Sequence, residues 1–97
     1  MTRAIIYKPR ARRDLAGIWS YSAETWSAKR ADEYIDAFDS AMSLINEFPS
    51  IARDASQIKP GLLRYEVGSH VIYFRVDKSS LTVLRILHDR MEPKRHL

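Results

Sequence analysis

Cationic and proton-transferring side chains crowd the last third of this sequence. Arg64, Arg85, His88, Arg90, Lys94, Arg95 and His96 all fall on or after a run of strand-like segments. Guanidinium groups grip phosphates through paired N–H bonds and stabilise developing negative charge. An imidazole moves protons near neutral pH. Taken singly, Arg64 and Arg85 have a plainer role, snorkelling off a sheet to pair with Glu66 or Asp77. The cluster as a whole points to an anionic partner. Other chemistries lack their parts. The chain has no cysteine, which removes a thiol nucleophile, a thiolate metal site and a disulfide scaffold together. Ser69 and His70 are neighbours, and adjacent strand residues point to opposite faces, so they cannot act as nucleophile and base. His70, His88 and His96 show neither His-x-x-x-His spacing nor a paired carboxylate motif, so neither a metal nor a cofactor is expected.

The charge distribution sharpens the anionic-partner reading. The net charge is +4, and all of it lies after residue 48: residues 1–48 hold seven basic and seven acidic groups, residues 49–97 nine and five. Such an imbalance suits nucleic acid or an acidic protein surface, the alternative being an ordinary solvated surface. At 97 residues, with 45% hydrophobic and 29% charged side chains, the chain reads as one globular domain spanning 1–97. No apolar run is long enough to span a membrane, and the N-terminus lacks the apolar centre of a signal peptide. The missing cysteines fit a reducing cytoplasm.

Several elements must position these groups. Residues 2–7 are β-branched and aromatic and predict a strand that Lys8-Pro9 ends. A helix follows from Arg10 to Thr25, with Ala11, Leu15, Ile18, Trp19 and Ser22 on one face. Gly17 weakens it by about 1 kcal/mol. Lys8, Arg10, Arg12 and Arg13 crowd its N-terminus, where the helix dipole disfavours each cation by about 0.3–1 kcal/mol; Asp14 offsets part of this. A second helix, 28–47, has Ser27 as N-cap and carries a stripe of Ala31, Tyr34, Ile35, Phe38, Met42 and Ile45. Phe48-Pro49 stops it. Residues 50–61 lack periodicity and end in a turn. Strands follow at 62–67, 70–76 and 81–88, the first two joined tightly by Gly68-Ser69. The tail is charged, and Pro93 limits any helix there.

The order β-α-α-β-β-β predicts an α+β sandwich, a helical hairpin packed on an antiparallel sheet. Alternation puts Leu81, Val83, Arg85 and Leu87 on one face of the last strand and Thr82, Leu84, Ile86 and His88 on the other. Both faces of the sheet are apolar, yet two helices cover only one. The second is covered by the chain's own loop and tail or by a partner, and the partner is the favoured reading.

Three blocks resemble ParE toxins. They are Pro9…Ala11…Asp14-Leu15…Ile18-Trp19…Tyr21…Trp26, then Gly61…Arg64…Gly68-Ser69-His70-Val71-Ile72-Tyr73-Phe74, and finally Arg85-Ile86-Leu87-His88-Asp89-Arg90-Met91…His96-Leu97. The match spans nearly the whole chain in order. It implies a RelE/ParE-like fold and the toxin of a bacterial type II toxin–antitoxin system. Such a toxin is expected to inhibit DNA gyrase by binding and to be neutralised by a ParD-type antitoxin. DNA would be reached only through antitoxin or gyrase. The target-binding set is then Arg64, Arg85, His88, Arg90, Met91, Lys94, Arg95 and His96. The antitoxin anchors are Trp19, Trp26, Tyr34, Phe38, Tyr73 and Phe74, of which Trp19, Phe38 and Phe74 compete as core residues. The alternative is a RelE-like ribosome-dependent mRNA endonuclease using Arg64, His88, Arg90 and His96. Against it, Val71 stands where an arginine is expected and His96 where a tyrosine is usual. A non-toxic antitoxin-binding module is the third possibility.

Overall fold

The computed structural model describes residues 3–97; Thr2, expected to begin the first strand, lies outside them. Strand β1 (Ala4–Tyr7) leads into α1 (Pro9–Thr25), with Pro9 in the first turn and no side chain capping it. Helix α2 (Ala28–Glu47) starts at Ser27, whose hydroxyl accepts the Arg30 N–H at 3.1 Å. After a 3-10 turn (Pro49–Ile51) come β2 (Arg53–Asp54), β3 (Leu63–Val67), β4 (His70–Val76), β5 (Ser80–His88) and one helical turn, α3 (Pro93–His96). Two of these correct the sequence reading. The 50–61 stretch contains a short strand, and Pro93 starts a helical turn because an N1 proline has no intrahelical N–H to lose.

The sheet order is β1-β5-β4-β3-β2. From β2 to β5 it is antiparallel, the expected meander extended by one strand; β1 joins the far edge in parallel with β5, so the sheet is mixed. Burial on the helix-covered face centres on Ala11, Ile18, Phe38, Met42, Ile45, Ile72, Phe74, Leu81, Val83 and Ile86. Each large side chain among them contributes about 1.5–3 kcal/mol by leaving water.

One irregularity changes which residues face the helices. Tyr73 pairs with Arg85, but Phe74 pairs with Val83, so Leu84 is an inserted residue in β5. Such a bulge shifts the alternation by one. Leu81 and Val83 face the helices, and so do Ile86 and His88, whereas Leu84 and Leu87 join Val71 and Tyr73 on the outer face. Strict alternation had put Ile86 and His88 opposite Val83.

The outer face is covered by the chain itself, not left open for a partner. Ala55, Leu62, Val71, Tyr73 and Leu87 form a second buried cluster, sealed by Ile58, Leu84 and Leu97. The covering loop is held by Ala55 N–H to the Leu62 carbonyl at 2.9 Å and Leu62 N–H to the Lys59 carbonyl at 3.1 Å.

The β3–β4 turn is pinned from α2. Gly68 has φ +57, and the Tyr34 hydroxyl lies 3.1 Å from the Val67 carbonyl oxygen and accepts the Ser69 N–H at 3.2 Å. A Cβ on Gly68 would meet Tyr34 Oη at 2.6 Å. Gly68→Ala is therefore expected to lower the unfolding free energy in urea titration by at least ~1 kcal/mol, combining left-handed backbone with a clash. A Cβ on Gly17, inside α1, meets nothing within 4 Å. Gly17→Ala should raise stability in the same titration by about 0.5–1 kcal/mol.

Candidate functional site

Strand β1 ends at Tyr7, paired with Val83, and leaves the rest of β5 without a strand on that side. Helix α1 supplies the missing acceptor. Asp14 Oδ2 accepts the Ile86 N–H at 2.9 Å and the Arg85 Nε–H at 2.9 Å, while Oδ1 accepts from Arg85 Nη2 at 3.0 Å. Arg85 Nη1 donates to the His96 carbonyl at 2.9 Å. Both charged side chains are largely buried, and the bond to Asp14 raises the arginine's pKa further. Arg85 is thus fully engaged in joining helix, sheet and tail, and is withdrawn from the target-binding set.

Beyond Asp14 a groove of about 510 Å³ opens between α1 and the ends of β4 and β5. Arg13, Gly17 and Tyr21, four residues apart, form one wall; Trp26 and Tyr34 close one end; His70, His88 and Met91 form the other side. Tyr21 and Trp26 are 66% and 58% exposed, large apolar surface left in water. Sequence reasoning named neither Tyr21, Arg13 nor Gly17 as groove residues. The available signal was a glycine flanked at i−4 and i+4 by long side chains on one helix face.

His70 and His88 are register partners with ring centroids 5.3 Å apart. His70 Nδ1 lies 2.8 Å from the Tyr34 hydroxyl. With one phenolic proton, Tyr34 donates to either Val67 or His70, and a neutral imidazole satisfies both arrangements. Burial holds the His70 pKa below its ordinary 6.5, and His88 pushes it the same way against Asp89 and Asp14. His88 Nδ1 accepts the Arg90 N–H at 3.1 Å in the tautomer that leaves this nitrogen bare, and donates to the Asp89 carboxylate, also at 3.1 Å, in the tautomer that puts the hydrogen on it. Ser69 belongs to the turn, not a strand, so it borders the same groove as His70.

The other candidates are dispersed. Arg64 lies on the outer face, 3.3 Å from Glu66 as its plainer reading expects, and 6.0 Å from the Tyr73 ring. Arg90, Lys94 and Arg95 are exposed, and Met91 rims the aromatic groove. His96 opens instead onto a separate groove with Lys8, Arg10 and Lys59. Among the proposed anchors, Phe38 and Phe74 are fully buried and Tyr73 is 3% exposed, so these three are core and unavailable to a partner. They face the interior because the helices cover one side of the sheet and the loop and tail the other. Trp19, read also as core, lies at the surface and donates to Asp32 Oδ1 at 2.8 Å. Trp26 stacks beside Arg30, whose guanidinium is 5.7 Å from the ring centre. Tyr34 is half-buried under its hydrogen bonds.

A family model described as the ParE toxin of type II toxin–antitoxin system, parDE, matches residues 5–93. Toxin ParE1 of Caulobacter vibrioides is 32% identical over 88 residues, 91% of each chain. Toxin ParE1 of Mycobacterium tuberculosis is 30% identical over 98 residues, covering both chains completely. In fold, the chain is similar to a structure of the chromosomal ParDE toxin–antitoxin system from P. aeruginosa, with a TM-score of 0.74, 16% identity, and coverage of 90% of this chain and 96% of that one. It is also similar to one of the M. tuberculosis RelBE2 toxin–antitoxin complex, with a TM-score of 0.61, 15% identity, and coverage of 91% and 99%.

Two outcomes follow from this geometry. Asp14→Ala should cost about 3–5 kcal/mol in chemical denaturation by stranding a buried guanidinium, and Asp14→Leu combined with Arg85→Met should recover much of it. His70 has a folded pKa below its unfolded value, so the unfolded chain binds more protons between them. Its contribution is complete above 6.5 and declines as pH falls through that value towards the folded pKa. His70→Gln should therefore flatten the loss of stability as pH falls below 6.5, measured by urea titration.

Proposed function

The chain belongs to the ParE family of toxins from type II toxin–antitoxin systems, and from that premise we propose that it inhibits DNA gyrase by binding, without catalysis of its own. Its partner is a ParD-type antitoxin and its compartment the bacterial cytoplasm. The observation that carries the choice of binding over RNA cleavage is the scattering of the acid–base set. His88 opens onto the aromatic groove, His96 onto the basic groove, and Arg64 onto a third pocket with Arg53 and Glu66. General acid–base cleavage needs such groups within hydrogen-bond reach of one scissile phosphate.

The antitoxin reading rests on the aromatic groove. Exposed Tyr21 and Trp26, with the adaptable Met91 opposite, are side chains of the kind that anchor protein interfaces. Solved structures of similar fold are of toxin–antitoxin systems, in keeping with a protein partner. The target-contacting groups that remain accessible are Arg90, Lys94 and Arg95 with Met91 and His88 beside them.

The purified chain is expected to inhibit gyrase supercoiling of plasmid DNA while leaving mRNA intact on translating ribosomes. Message cleavage with supercoiling untouched would overturn the reading in favour of the ribonuclease, and inactivity in both would favour an antitoxin-binding module. Trp26→Ala should weaken antitoxin binding, measured by calorimetry, by about 2 kcal/mol without changing the melting temperature appreciably.

A further inference from the structure

We propose that the groove between the start of α1, the 55–62 loop and the C-terminal turn binds the phosphodiester backbone of nucleic acid, so that the chain contacts DNA directly. Lys8, Arg10, Lys59 and His96 converge there from three separate parts of the chain on a groove of about 300 Å³. Its apolar floor includes Leu84, brought to this face by the β5 bulge, and Leu97.

The charge in this groove is uncompensated. Arg85 also lines it but is neutralised by Asp14. Among the described residues no acidic side chain lines it, and no carboxylate lies within 4.0 Å of Lys8, Arg10 or Lys59. A terminal carboxylate at Leu97 would offset one of the three charges and leave the groove positive. Helix α2, which does not line it, carries Asp32, Glu33, Asp36, Asp39 and Glu47 against only Lys29 and Arg30. An excess of three negative side-chain charges thus lies on an element that does not line the groove.

The lining also separates a phosphate backbone from a protein partner. The aromatic groove offers Tyr21, Trp26 and Met91 to an incoming side chain; this one offers no aromatic ring besides the His96 imidazole. Protein interfaces are anchored by aromatic residues and methionine, whereas phosphate contacts are made by lysine, arginine and other donors without regard to base sequence. Such binding is independent of sequence and steeply dependent on salt. It does not require that gyrase be the target: a chain that left supercoiling untouched would still bind here.

Anisotropy of a short labelled DNA duplex, titrated with the full chain at a series of salt concentrations, tests this. Each neutralised phosphate contributes about −0.9 to the slope of log K against log salt. The variant Lys8→Gln/Arg10→Gln/Lys59→Gln is expected to flatten that slope by about 2.7 and to weaken binding at low salt at least ~10-fold. A control with the same net charge, Lys29→Gln/Arg53→Gln/Lys78→Gln, should keep the slope. Circular dichroism of both variants checks that they fold. No duplex binding by the parent chain at low salt would overturn the proposal. So would a folded groove variant that keeps the parent slope, or equal losses in the two variants, which would assign binding to net charge instead of to this groove.

Discussion

The Asp14 carboxylate sits where helix, sheet and tail are joined, and it supplies an acceptor that the sheet edge otherwise lacks. Strand β1 is too short to pair the whole of β5, and an unpaired strand edge leaves backbone donors without partners. Asp14 takes the Ile86 N–H that a longer β1 would have taken, then holds Arg85 through two further bonds. Arg85 passes the connection on to the His96 carbonyl and so to the tail that seals the outer face. Two charges this deeply placed are costly singly and tolerable together, because every major donor of the guanidinium has found an acceptor. The same carboxylate borders the aromatic groove, and Arg85 borders the basic one. One ion pair therefore spans the helix and strand that both grooves share.

The bulge at Leu84 does for facing what Asp14 does for attachment. Without it, Ile86 and His88 would point away from the helices, and Leu87 would crowd the core already filled by Val83 and Phe74. By shifting the alternation once, the strand places His88 opposite His70 beside the aromatic groove and sends Leu84 and Leu87 to the outer cluster. Bulges recur where a strand must re-aim a side chain near a site. Here one inserted residue helps to shape both grooves.

How far the sequence carries depends on whether a feature is local. The α2 stripe from Ala31 to Ile45 is legible because a helix repeats its buried face every few residues, and the Ser27 cap and Phe48-Pro49 stop lie beside it. The meander is legible from its turn residues. The bulge is not, since Leu84 is a reasonable strand residue on either face and only the partner strand reveals the insertion. Nor is the pairing of Asp14 with Arg85, which are 71 positions apart; Arg85 reads instead as a target-binding cation or as a partner of Glu66 or Asp77. The same non-locality misassigns Tyr73, whose burial is completed by Leu62 and Leu97 from outside its strand. The groove is legible only in fragments: Trp26 stands out by type, whereas Arg13, Gly17 and Tyr21 gain meaning once α1 lies against β4 and β5.

A self-covered outer face alters what a partner has to do. Apolar residues on both sides of a small sheet suggest a half-finished core awaiting an antitoxin, yet Val71, Tyr73 and Leu87 are already sealed by residues of the same chain. Folding then does not require the partner to supply core, and association can be governed by surfaces that are exposed in the free chain. Those surfaces differ in chemistry: aromatic and thioether groups gather in one groove, lysine and arginine in another. Desolvating the first favours association with another protein through apolar burial, which salt does not weaken; occupying the second releases counterions, an advantage that falls as salt rises. Distinct driving forces at separate grooves allow one small domain to hold a protein and a polyanion at once, provided neither partner displaces the Asp14–Arg85 bridge between them.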